Sequence, residues 1–171
     1  MADNAFWIAS LTAGTAVLAS WVTSRGTARA ARIQADTTAS AGRVERQRET
    51  RRKAYADLIE QAQRMGDLYW KVSDLRDVTG HEAELKELRI RLRDEYGRLR
   101  HCVWIVSLEG PPATADAANT VRRSTSPLYK ALGDMINGDP TATDRFDASY
   151  GPFWQTLKEF IARARETLET M

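Results

Sequence analysis

The chain has 171 residues, a formal net charge of +2, 43% hydrophobic and 28% charged residues, and one cysteine. That length holds one compact domain of about 115 residues beside a short N-terminal appendage. The lone Cys102 excludes an internal disulfide and fits a reducing compartment. The charge is unevenly spread: between Arg25 and Lys53 nine basic residues face three acidic ones, whereas the rest of the chain is mildly acidic.

From Asn4 to Ser24 no side chain is charged, and Trp7 and Trp21 stand near the two ends of that run. As a helix rising roughly 1.5 Å per residue, such a run spans about 31 Å, enough for a hydrocarbon layer of about 30 Å. The reading is a transmembrane anchor over residues 1–24. Met1 to Asn4 carries one acid and no Lys or Arg, while the other flank begins with Arg25, Arg29 and Arg32. Positive flanks stay cytoplasmic, so the expectation is a single-pass cell-membrane protein with its N-terminus outside and its C-terminal domain inside. A cleaved signal peptide is the rival, but it requires a basic n-region that Met-Ala-Asp-Asn lacks; a buried soluble helix is the other. Turned through 100° per residue, Trp7, Leu11, Leu18 and Trp21 share one face. Ala9, Ala13, Ala16 and Ser20 lie opposite. Small residues let helix backbones approach closely in lipid, which makes that second face a candidate for self-association.

Residues 25–53 read as a basic helical stalk. Alanines favour helix there, Gly26 and Gly42 weaken it, and Ile33 is its bulky aliphatic between Thr23 and Gly42, so no wide apolar stripe forms. Arg25, Arg29 and Arg32 can reach lipid headgroups within a screening length of about 8–10 Å. Arg43, Arg46, Arg48, Arg51, Arg52 and Lys53 would face something else. Their candidate partners are an acidic protein, nucleic acid, or a membrane met by a bent stalk. Nucleic acid lacks the supporting signs, since neither interleaved aromatics nor a known binding fold is visible. A solvated, orientation-setting helix face is the plainer reading.

Residues 54–171 carry four helical signals. Tyr55, Leu58, Ile59, Ala62, Met65, Leu68, Tyr69, Val72 and Leu75 recur at three- and four-residue steps, ending at Thr79-Gly80. Leu85, Leu88, Leu92, Tyr96, Leu99, Val103 and Val106 form a second stripe, stopped by Gly110-Pro111-Pro112. A third runs from about Ala113 to Ile136 on Leu128, Leu132, Met135 and Ile136, with Pro127 expected to kink or split it. The fourth uses Phe146, Tyr150, Phe153, Leu157, Phe160, Ile161, Ala164 and Leu168. Gly151-Pro152 should kink it, and Thr143 or Asp144 should cap it. No period-two strand emerges, so the fold class is all-α: a transmembrane helix, a helical stalk and a four-helix bundle.

Chemistry is hard to find. His81 and His101 lack the further ligands at suitable spacing that zinc requires. Neither follows a glutamate by three residues, as an inward-facing di-metal bundle site needs. Cys102 has no base assigned to it and reads as a core thiol. There is no glycine-rich phosphate loop and no arguable Ser-His-Asp set. The expectation is therefore no enzyme, no cofactor and no metal. Trp70, Trp104, Phe153 and Trp154 are rich for one small bundle. They read first as core, and second as a ligand groove or an inter-subunit surface.

The stretch Trp21-Val-Thr-Ser-Arg-Gly-Thr-Ala-Arg-Ala-Ala-Arg-Ile-Gln-Ala35, with Arg51-Arg-Lys-Ala-Tyr-Ala56, resembles uncharacterised single-span helical proteins of high-GC actinobacteria. The likeness covers roughly residues 5–75. It implies a bacterial, membrane-anchored helical protein and brings no activity, cofactor or site residue with it.

These observations lead to the expectation of a membrane-tethered, non-enzymatic docking or oligomerisation module on the cytoplasmic face, possessing the bilayer and either a second copy or another protein as partners. An accessory subunit of a larger complex fits the same description. The alternatives are a small-molecule or nucleic-acid sensor and a phage-type or toxin-like membrane-active protein.

Overall fold

Helix α1 spans Ala2–Leu75, α2 Glu82–Glu109, α3 Pro112–Ile136 and α4 Ala142–Glu169. The computed structural model describes the backbone of residues 2–76 and 80–170, and the side chains of residues 34, 36–76 and 80–170. No strand occurs among the described residues, so the chain is all-α. Its contacts divide it into Met1–Glu45 and Arg46–Met171.

In the first unit α1 continues through Gly26 and Gly42 without a break. A helical glycine costs only about 1 kcal/mol relative to alanine, and the flanking alanines offset it. Residues 36–41 are exposed. Hydroxyls fold back onto their own helix: Thr38 Oγ1 donates to the Gln34 carbonyl and Ser40 Oγ to the Thr37 carbonyl, both at 2.8 Å. The anchor residues Trp7 and Trp21, the arginines Arg25, Arg29 and Arg32, and the small face of Ala9, Ala13, Ala16 and Ser20 lie outside the described side chains. Among the described residues no helix is long and apolar enough to cross a membrane.

The second unit is a four-helix bundle in which sequential neighbours run antiparallel. Gln61 Nε2 on α1 donates to the Glu95 carbonyl on α2 at 3.1 Å, and further down Arg51 Nε donates to the Glu109 carbonyl. Arg122 on α3 meets the Tyr96 hydroxyl at 3.1 Å. From one end of the α3/α4 pair to the other, Thr114 meets Thr167 at 2.8 Å, Ser124 meets Thr156 at 3.0 Å, and Arg145 meets Asp134 at 2.8 Å. The fourth helix returns along α1, with Phe160 against Tyr55 at 6.0 Å between ring centroids and Phe146 against Tyr69 at 6.2 Å. Short loops between antiparallel helices give this up-down topology directly.

The core follows the sequence stripes. Leu58, Met65, Tyr69, Leu92, Leu99, Leu128, Phe146, Phe153 and Phe160 are all fully buried, and each large apolar side chain removed from water contributes about 1.5–3 kcal/mol. α3 departs from expectation. Its buried face also uses Thr114, Ala118, Val121, Thr125, Ala131 and Gly133, while Met135 and Ile136 are only half-buried. Small residues there let the aromatic side chains of α1 and α4 fill the centre. Tyr69 reaches across to donate its hydroxyl to the Thr125 carbonyl at 3.2 Å, and burial pushes its phenol pKa up.

The helix boundaries bear out one expectation and correct others. α4 runs unbroken through Pro152, as its apolar period requires, and Pro127 does not split α3. Both prolines are exposed, so water can serve the carbonyl that each leaves without a donor. The N-cap of α4 is Thr141, not Thr143 or Asp144, and it makes no side-chain cap bond. Asp139 organises the turn instead, accepting from the Thr141 amide at 2.9 Å and the Thr141 hydroxyl at 2.8 Å. Arg145 Nη2 also donates to Asp139 at 2.8 Å. Gly138 holds the left-handed conformation this turn needs, at φ 81°.

Candidate docking surface on helix α2

Helix α2 buries Leu85, Leu88, Leu92, Leu99, Val103 and Val106. Its opposite side ought to be polar throughout, yet Ile90, Trp104 and Leu108 stand 64%, 57% and 79% exposed. Ile90, Gly97 and Trp104 are spaced one heptad apart, with Leu108 one turn beyond Trp104. At 100° per residue these four fall within a strip about 40° wide. Asp94 and His101 flank Gly97 on the same exposed side. Arg100 places its guanidinium carbon 5.1 Å from the Trp104 ring centroid, holding that indole against the helix.

Gly97 is the unusual member. A Cβ built there would meet nothing within 4 Å, so the fold does not demand glycine, and an interior helical glycine costs about 0.5–1 kcal/mol relative to alanine. What glycine does offer is a flat spot where a second helix backbone can come close. Ile90 and Trp104 lie equally far to either side of that spot, so the strip is nearly symmetric about its centre.

The other sequence candidates divide clearly. Arg43, Arg46, Arg48, Arg52 and Lys53 are exposed. Arg51 is half-buried and committed to the C-terminal carbonyl of α2 at Glu109, a favourable place for a cation. The four aromatics do not share one role. Phe153 is fully buried and Trp154 half-buried, with their rings 5.2 Å apart, whereas Trp70 and Trp104 are exposed. Trp154 lies so close to α1 that a Cβ on Gly66 would sit 2.4 Å from its ring.

His101 is exposed on the outer strip, and His81 begins α2 with Nδ1 3.3 Å from a Glu84 oxygen. Cys102 is half-buried, and burial followed by the Asp57 charge pushes its thiol pKa up. Among the described residues no cluster of His, Cys, Asp or Glu could hold a metal ion. Ile90 and Leu108 were missed in the sequence reading. Their signal was present as bulky aliphatics between, not on, the steps of the Leu85–Val106 stripe.

No family model matches the chain, and neither a curated protein nor a solved structure matches it.

Proposed function

We propose that the chain is a membrane-tethered, non-enzymatic docking and oligomerisation module, its uncharged residues 4–24 in lipid and its bundle on the cytoplasmic side. The observation that carries the docking role is the outward strip of α2, where Ile90, Trp104 and Leu108 are exposed around Gly97. Aromatic side chains of this kind are enriched at protein interfaces. The occupant is a second copy of the same helix running antiparallel. That arrangement crosses the two Gly97 positions, lays Ile90 along Trp104 of the other copy, and opposes the two helix dipoles favourably. The exposed Arg43, Arg46, Arg48, Arg52 and Lys53 support the orientation, since positive segments remain on the cytoplasmic side.

Two measurements test the two halves separately. The full-length chain expressed in bacteria is expected in the membrane fraction and released only by detergent; recovery in the aqueous fraction overturns the tether. Light scattering of the detergent-solubilised chain is expected to show self-association that Trp104→Glu abolishes, with helical circular dichroism retained. An oligomeric state identical in Trp104→Glu and the parent chain overturns the α2 surface.

A further inference from the structure

A second feature lies apart from the outer strip of α2 and depends on neither tether nor partner. Between α2 and α3 the bundle surface opens into a cavity of about 380 Å³, within the roughly 300–1,000 Å³ typical of small-molecule sites. Its floor is Met65, Tyr69 and Leu92, all essentially inaccessible to solvent. Its walls are aromatic and cationic, with Tyr96 and Arg93 from α2 and Tyr129 from α3.

The charges around this cavity are one-sided. No carboxylate lines it. Arg93 opens onto it, Arg122 donates from Nη1 to the Tyr96 hydroxyl at 3.1 Å, and the Arg89 guanidinium carbon lies 5.1 Å from the centroid of the Tyr129 ring. None of the three guanidinium groups has an ion-pair partner among the described residues. Elsewhere on the same helix Arg91 pairs with Glu87 and Arg98 with Glu95, so helix geometry does not prevent such pairs; these three positions simply lack an acid. The Tyr96 hydroxyl accepts from Arg122, which leaves its own proton free to donate into the cavity.

We propose that this cavity binds a small aromatic carboxylate. The ring packs on Met65 and Leu92 beside the faces of Tyr96 and Tyr129, and the carboxylate takes hydrogen bonds from Arg93 and the Tyr96 hydroxyl. Arginine suits this task because its fork matches a planar carboxylate. Tyr69 does not bind the ligand through its hydroxyl, which is spent on the Thr125 carbonyl; it contributes a ring to a floor that stays dry. Arg122 is a positioning residue that orients the Tyr96 hydroxyl.

The test titrates 2-naphthoate into the full-length chain by calorimetry, with 2-naphthamide as the uncharged probe of the same shape. Saturable one-site binding of 2-naphthoate is expected. The amide should bind about tenfold or more weakly, the loss that follows from removing one charge-assisted contact. Arg93→Gln, an exposed position whose replacement leaves the core intact, should weaken 2-naphthoate by a similar factor of about ten and weaken the amide, whose neutral carbonyl accepts a weaker hydrogen bond, by less. Arg98→Gln, whose partner is Glu95, should bind 2-naphthoate as the parent does. No saturation up to roughly 5 mM, a weak limit for a ligand of this size, overturns the proposal. So does equal affinity for the two probes, or an Arg93→Gln variant that binds as the parent does.

Discussion

The two sides of the bundle are built on different terms. Along α1 and α4 the contact is closed by rings: Tyr55 meets Phe160 edge-on, Tyr69 meets both Phe146 and Phe153, and Trp154 covers Gly66. Each edge-to-face pair adds about 0.5–1.5 kcal/mol beyond the apolar area it buries. Along α2 and α3 no ring pair closes the contact among the described residues. There the tyrosines line a cavity, arginines lie over them without acids, and α2 turns Ile90, Trp104 and Leu108 outward. One side spends its aromatic residues on holding the fold. The other leaves them exposed or lining a cavity.

Substitutions that treat the two sides alike should therefore give unlike results. Phe153→Ala empties a fully buried ring site and should cost about 3–5 kcal/mol in urea unfolding, whereas Trp104→Ala on the outer strip should change stability by less than about 0.5 kcal/mol. Comparable losses at the two positions would erase the distinction. Glycine replacements sharpen it further. Gly66→Ala drives a Cβ to 2.4 Å from the Trp154 ring and should destabilise by about 1–3 kcal/mol. Gly97→Ala meets no atom within 4 Å and should stabilise the folded chain by about 0.5–1 kcal/mol in the same denaturation experiment.

The smallest effect concerns the α3–α4 turn, which belongs to neither side. Hydrogen bonds from Arg145, then from the Thr141 amide and hydroxyl, lower the Asp139 pKa to about 2. A carboxyl depressed in the folded state contributes stability that is complete above its unfolded pKa of about 3.9, and that contribution is lost as pH falls through the folded value. Asp139→Asn should thus flatten the stability profile between about pH 4 and pH 2 and leave the cavity and the outer strip untouched. A parent and variant with parallel profiles across that window would show that the turn gains nothing from the charge.

Much of the fold was legible in the sequence because large apolar side chains at helical spacing announce a buried face. Every α2 position from Leu85 to Val106 on that stripe is buried in the bundle, except Tyr96, which is half-buried. The inner face of α3 was harder to read. Ala118, Thr125 and Gly133 carry no hydrophobic signal of their own; Thr125 is buried where Tyr69 reaches α3, and Gly133 lies under the Arg89 guanidinium. The cap of α4 escaped for a related reason: an aspartate two residues upstream of Thr141, not the cap residue itself, supplies the bonds. The cavity was illegible altogether, since periodicity assigns faces within a helix but not the level at which Tyr96 of α2 meets Tyr129 of α3. The outer strip lay between these cases, as Trp104 stood out and Ile90 and Leu108 did not.

The close seating of Trp154 over Gly66 has a consequence for how this chain can vary. A side chain at position 66 requires the Trp154 ring to shift or shrink, so the two sites are coupled. Homologous chains that carry alanine or serine at the first should carry a smaller residue at the second, and paired substitution should preserve folding where either change alone impairs it.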